Sequence, residues 1–151
     1  MTTVLLLAHP NFATSRANRA LHAGIKDLPG LEIAELYALY PDGRIDSAAE
    51  RERLLRADRL VLQFPLYWYS VPSLLKQWFD TVLTPILFNE PDVMASMAGL
   101  PVLAATTTGG VAASYQGDNP TTAALEELFA PLRATAQQRL RDYGGSPAAR
   151  R

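Results

Sequence analysis

Residues 4–8, VLLLA, form a continuous apolar run between Thr3 and the His9-Pro10 pair. Such a run reads as a strand covered on both faces, as in a parallel sheet. Two more runs read as strands: residues 60–64, ended by Pro65, and residues 101–105, followed by TTTGG. Residues 31–37 alternate apolar and acidic positions, the pattern of a second, more exposed strand. Between these runs the spacing is helical. Residues 17–28 carry Ala17, Leu21, Ala23, Ile25 and Leu28 on an apolar stripe that Pro29-Gly30 stops. Ser47, with Glu50 three residues on, reads as the cap of a helix that turns Leu54 and Leu55 inward. Pro72 opens the helix SLLKQWFDTVL, in which Leu75, Trp78, Phe79 and Val82 have helical spacing. Residues 93–98 make a short helix. From Thr121 onward Leu125, Leu128, Phe129, Leu132, Ala136 and Leu140 share one face, with a kink expected at Pro131. The segment YPDGRID is a loop, since Pro and Asp-Gly favour turns.

Strands alternating with helices predict an α/β fold, a three-layer sandwich joined by right-handed crossovers. A flavodoxin-like strand order, 2-1-3-4, would bring the ends of strands 1 and 3 together at a switch point. With 151 residues, 48% of them hydrophobic, the chain can bury the core of a single domain. A net charge of -1 gives no general attraction to nucleic acid or to anionic membranes. The absence of cysteine excludes disulfides, thiolate catalysis and cysteine metal sites, and no metal site is assigned. The first ten residues, MTTVLLLAHP, lack a basic leader, and their apolar run is too short for a signal or membrane segment. A cytoplasmic location fits.

In a parallel sheet, the loops leaving the carboxyl ends of the strands share one edge, where ligands bind. Here they are HPNFATSRAN, PLYWYS and TTTGG. The first offers Ser15, Arg16 and Asn18 around a helix start, where unpaired N–H groups and the helix dipole favour an anion such as a phosphate. His9 can donate to the same anion. The second supplies flat aromatic surface in Tyr67, Trp68 and Tyr69. The third contributes hydroxyls and Gly109-Gly110, which let a ligand approach the backbone closely. Phosphate, flat ring and polar ring edge are the three needs of a flavin nucleotide. Each piece has a plainer reading: Ser15 as a helix cap, His9 as a structural hydrogen-bond partner, TTTGG as a turn, the aromatics as a hydrophobic interface. Neither a GxGxxG fingerprint nor a P-loop is present.

Three stretches, AHPNFATSRAN, the long segment LYALYPDGRIDSAAERERLLRADRLVLQFPLYWYSVPSLLKQWFDTVL, and TTGG followed by Tyr115, make the chain resemble the flavodoxin-like NAD(P)H:quinone oxidoreductases. Within them it is most similar to the ancillary oxidoreductase subunits of glutathione-regulated potassium-efflux systems, whose marker is the YPD…IDxAAE stretch. The resemblance implies a non-covalent FMN or FAD, with NAD(P)H as co-substrate and a quinone as acceptor, reduced in a ping-pong two-electron exchange. It places the flavin phosphate region at His9, Ser15, Arg16, Ala17 and Asn18. The ring wall falls at Leu66, Tyr67, Trp68 and Tyr69, and the ring-edge contacts at Thr107, Thr108, Gly109 and Gly110. Backbone N–H groups near Gly109 and Gly110 would stabilise the reduced ring. Tyr115 matches the family tyrosine that helps settle that charge, but Gly117, Asp118 and Asn119 stand where its histidine partner would follow. His22 reads as structural. The resemblance further implies a homodimer, with Trp78 and Phe79 facing either the partner or the monomer core. It also implies docking to a potassium-efflux antiporter at the inner face of the membrane.

The family continues after LRATA with a fifth strand and a closing helix, whereas here QQRLRDYGG follows directly. Either the edge strand is absent or the numbering joins two segments at Ala136 and Gln137. A true deletion would expose strand 4 as an edge, and a truncated, non-catalytic domain is the corresponding alternative function.

Overall fold

The computed structural model describes residues 1–115 and 124–141. Four strands, β1 (Thr3–Leu7), β2 (Leu31–Glu35), β3 (Arg59–Pro65) and β4 (Val102–Thr107), form one parallel sheet in the order β2-β1-β3-β4. This is the flavodoxin-like three-layer order read from the chain. Among the described residues no strand lies beyond β4.

The register decides what each face buries. Leu5 lies opposite Ile33 and Val61, and Val61 opposite Leu103. Side chains alternate along each strand, so Val4, Leu6, Leu60, Leu62 and Phe64 share one face with Leu54, Leu75, Trp78, Val82 and Ile86 of the helices above them. Each fully buried Leu or Phe there contributes about 1.5–3 kcal/mol, and this face is the core. Leu5, Leu7, Val61, Gln63 and Leu103 turn to the other side. Among the described helices α1 (Ala17–Ile25) covers that face, and Leu103 remains 61% exposed.

Several boundaries differ from the reading of the chain, each for a local reason. β2 ends at Glu35 because Leu36–Leu39 wind into a short helix, α2, whose Leu36 is fully buried. The helix α3 (Ser47–Leu55) is capped by Asp46, not Ser47; its Oδ1 accepts from the Ala49 N–H at 3.0 Å. Leu54 is buried as expected, but Leu55 is exposed, and the residue that goes inward is Glu50. The helix after Pro72 is longer than expected: α4 (Ser73–Trp78) passes through a π-helical turn, Phe79–Leu83, into α5 (Thr84–Asn89). Pro85 in the first turn of α5 cannot donate an N–H, and a local change of register accommodates it. A further short helix, α6 (Pro91–Ser96), precedes β4.

The terminal helix is not one kinked rod. It is two helices, α7 (Leu125–Leu128) and α8 (Ala130–Arg141), separated at Phe129. Pro131 stands in the first turn of α8, where a missing N–H costs nothing. α8 runs without a break through Ala136 and Gln137. The expected helix start at Thr121 lies outside the described residues.

Candidate functional site

The loop after β1 is drawn into one compact piece. A 3-10 turn, Phe12–Thr14, leads into α1, and Arg19 donates to the Ala13 carbonyl at 3.1 Å. Phe12 sets its edge against His22, with ring centroids 5.4 Å apart, so His22 is held in a packing contact. Ser15 Oγ accepts from the Asn18 N–H at 3.3 Å, the contact of a helix-start cap. Arg16 and Ala17 are exposed, and the first helical hydrogen bond of α1 runs from the Ala20 N–H to the Arg16 carbonyl at 3.1 Å. The N–H groups before it are those a helix start leaves for an anion.

His9 is buried. Burial holds its pKa below the usual imidazole value, outweighing its own backbone hydrogen bond and the pull of Glu35. The ring is therefore neutral at neutral pH. Its Nδ1 accepts from the Asn11 N–H at 3.1 Å, which assigns the proton to Nε2.

Asn18 joins the loops. It is fully buried; its Nδ2 donates to Thr107 Oγ1 at 2.7 Å, and its carbonyl accepts from Gln63 Nε2 at 2.8 Å. Thr107 in turn accepts the Leu66 N–H on its main-chain oxygen at 2.8 Å. The loop after β1, the aromatic loop and the end of β4 thus meet at Thr107. Gln63 was not among the expected residues. Its signal was present, as the one polar side chain inside LVLQF.

The aromatic loop is a tight turn. The Tyr67 N–H donates to the Ser70 carbonyl and the Ser70 N–H to the Tyr67 carbonyl, both at 2.9 Å. Its two central residues, Trp68 and Tyr69, have φ of 48° and 62°. Positive φ at both centres is the pattern of a type I′ turn, which glycine and asparagine fill at little cost and aromatic residues do not. Trp68 is 94% exposed at the tip. Tyr69 and Leu66 instead reach a cavity of about 150 Å³ lined also by Phe64, Phe79 and Phe129.

The helix under this turn is anchored from the opposite side. Glu50 is fully buried; its Oε1 accepts from Tyr40 Oη at 2.6 Å and from Arg53, and its Oε2 accepts from Trp78 Nε1 at 2.8 Å. Arg53 also pairs with Glu32 at 2.8 Å. Burial, then the Glu50 carboxylate, pushes the Tyr40 phenol up to about 12. Trp78 therefore belongs to the monomer core and does not face a partner, while Phe79 packs half-buried beside it.

The third loop is organised around glycine. A Cβ on Gly110 would lie 3.0 Å from the Tyr115 ring, whereas one on Gly109 would meet nothing within 4 Å. The Tyr115 ring packs tightly over Gly110, so that a Cβ there would have to shift it; Gly109 leaves open backbone beside it. Thr108 Oγ1 donates to the Gly110 carbonyl at 3.3 Å. The region after Tyr115, with Gly117, Asp118 and Asn119, lies outside the described residues. Among the described residues no cluster of His, Asp and Glu could hold a metal, and no helix is long and apolar enough to cross a membrane.

The model of a flavodoxin-like fold family matches residues 1–138. The ancillary protein KefF of a glutathione-regulated potassium-efflux system, from Enterobacter sp. (strain 638), is 43% identical over 134 residues, 88% of this chain and 74% of that protein. The crystal structure of general stress protein 14 from Treponema denticola, a complex with FMN, is 34% identical with a TM-score of 0.83, covering 92% of this chain and 80% of that one. An NADPH-quinone reductase from P. pentosaceus is 31% identical with a TM-score of 0.80, covering 92% and 79%. These relatives carry different names on one fold, and what they share is what the chain is: a member of the flavodoxin-like oxidoreductase family.

Proposed function

We propose that the chain is a flavin-dependent NAD(P)H:quinone oxidoreductase. The observation that carries this is the junction at Thr107, which gathers a helix start, an exposed aromatic turn and an open glycine backbone along one sheet edge. Bound there, an FMN or FAD would supply two-electron hydride exchange between the nicotinamide and the quinone. The chain's own groups supply the rest. The N–H groups at the start of α1, with Arg16 beside them, hold an anion. His9 offers a neutral Nε2–H. The aromatic turn, Leu66 to Tyr69, gives a flat wall, and the open side of Gly109 admits a ring edge against the main chain. Its N–H and that of Gly110 are the fixed dipoles available to a developing negative charge. Tyr115, packed on Gly110, shapes that loop.

The relatives support the reading: one binds FMN in its crystal, and another is named an NADPH-quinone reductase. Purified protein loaded separately with FMN and FAD should turn yellow and oxidise NADH or NADPH when a quinone is supplied. Protein that stays colourless with both flavins and shows no quinone-dependent oxidation refutes the proposal and leaves the non-catalytic alternative. A homodimer and a cytoplasmic location belong to the same reading. A second reading, docking to a potassium antiporter at the membrane surface, is favoured by the efflux-system relative and by Trp68 standing clear of the fold. It predicts altered ion flux when the protein is added to the reconstituted transporter.

A further inference from the structure

The aromatic turn stands at the mouth of a longer space. β3 and β4 are parallel, so the chain between them must descend from the edge that carries the loops to the opposite one. It does so as α4, the π-helical turn and α5, and two cavities follow this descent. The first, of about 150 Å³, is the one that Leu66 and Tyr69 reach. The second, of about 210 Å³, shares Lys76, Phe79 and Thr135 with it and extends to Ile86, Leu87, Met94 and Met97. From Lys76 to Leu87 the helical rise is about 15 Å.

The wall of the second cavity suits an apolar occupant. Among the described residues its only charges, Lys76 and Asp80, are spent on each other at 2.6 Å. The Thr135 hydroxyl donates to the Pro131 carbonyl at 2.9 Å. Met94 and Met97 are buried, and they are the chain's only methionines besides Met1. Such unbranched thioether side chains adapt to whatever fills the gap beside them. Phe79, Asp80 and Leu83 of the π-helical turn lie along the same wall. A π turn is wider than an α turn and frequently marks a functional position.

The geometry points to a channel for the apolar tail of the acceptor quinone, with the quinone ring at the aromatic turn and the tail running toward Met94 and Met97. This assignment rests on the proposed quinone reduction, whose acceptor it describes. A nicotinamide cofactor cannot use the channel, because its phosphates would be buried without a counter-charge. An alkyl or isoprenoid substituent carries no such charge, and each methylene placed there leaves water. Continuity with the aromatic turn, through Tyr69 and Phe79, selects this occupant over an unrelated ligand.

Two quinones with the same dimethoxy-methyl ring, one bearing a decyl chain and one without it, test the channel on the flavin-loaded full chain. The decyl quinone should have a KM lower by about 10-fold or more, for which two buried methylenes are enough. Thr135→Trp fills the place where the cavities meet and should raise the KM of the decyl quinone to that of the short one. A thermal melt checks that this variant folds. Isotope-labelled methionine methyls of the parent protein give a second readout that needs neither the variant nor turnover. The Met94 and Met97 signals should move with the decyl quinone and not with the short one. Equal KM values for the two quinones, or Met94 and Met97 signals indifferent to the decyl chain, overturn the inference and leave quinone reduction standing. Signals that move with protein concentration alone also overturn it, since a second copy then fills the space. No turnover of either quinone refutes the reduction itself, and the tail assignment falls with it.

Discussion

Trp68 should be a residue whose removal stabilises the protein while weakening its site. It holds φ 48° and is 94% exposed. An L-residue in the left-handed region costs about 1–2 kcal/mol, whereas glycine takes that conformation freely. Glycine returns about 0.5–1 kcal/mol as entropy of the unfolded chain. With almost no buried surface at Trp68 to forfeit, Trp68→Gly should come out about 0.5–1 kcal/mol more stable. For a domain of this size that is a rise in Tm of about 1–4 °C. Tyr69 is the contrast: φ is 62°, but the side chain is only 47% exposed. Losing about 100 Å² of buried surface costs about 2.5 kcal/mol, so Tyr69→Gly should destabilise on balance despite the same relief of strain. Thermal melts of the flavin-free proteins measure both signs, and a flavin titration measures the site, where losing a ring contact should weaken binding by about 10-fold. A fall in Tm for Trp68→Gly would show that the turn is not strained, and unchanged flavin affinity would remove Trp68 from the wall.

Glu50→Ala strands the Trp78, Tyr40 and Arg53 donors and should cost about 3–5 kcal/mol in urea unfolding; a loss below about 1 kcal/mol would mean the network is incidental. The two glycines should separate: Gly110→Ala must push the Tyr115 ring and lose about 1 kcal/mol, whereas Gly109→Ala should fold within about 0.5 kcal/mol of the parent yet bind flavin more weakly. Equal flavin affinity in Gly109→Ala would place the ring elsewhere. Tyr40 has a folded pKa raised from 10.0 to about 12. Its contribution is whole below pH 10 and is lost as pH climbs toward 12. Tyr40→Phe should be less stable than the parent at neutral pH but show a shallower decline across that window, and parallel curves would discount the Tyr40–Glu50 contact.

What the chain disclosed in advance was what periodicity encodes. Apolar runs, broken only by Gln63, marked β1, β3 and β4, and the loops that leave them became the candidate site. What escaped has its cause at longer range or in the backbone. The Ser47…Glu50 spacing looks like a capping box, but Asp46 caps α3 because its carboxylate reaches the Ala49 N–H, which frees Glu50 to turn inward. Arg53 is a local partner of Glu50, but the other two, Tyr40 and Trp78, lie 10 and 28 residues away, and an i,i+3 charge pair alone does not reveal a buried carboxylate. Leu36 and Tyr37 close the run read as β2 and still wind into a helix with Ala38 and Leu39, which buries Leu36. Positive φ at Trp68 and Tyr69 contradicts residue preference outright. Such contradictions are expected where a site, not stability, sets the sequence.

The residue types at the candidate site could be listed from the chain, but the way they are held together could not. A loop after β1 and a loop after β4 share an edge in any parallel sheet, which by itself does not make them one site. The bond from Asn18 to Thr107 does so across 89 residues, and the Leu66 N–H adds the aromatic loop to the same threonine. Asn18 is buried, and its side-chain amide donates to Thr107 and accepts from Gln63, so its place among the ligand residues is better understood as a brace. A brace acts through position: holding the helix start and the aromatic turn at a fixed separation determines what length of ligand can touch both. The residues proposed for contact, such as Arg16 and Trp68, can then remain exposed, because the precision resides in the buried amide beneath them.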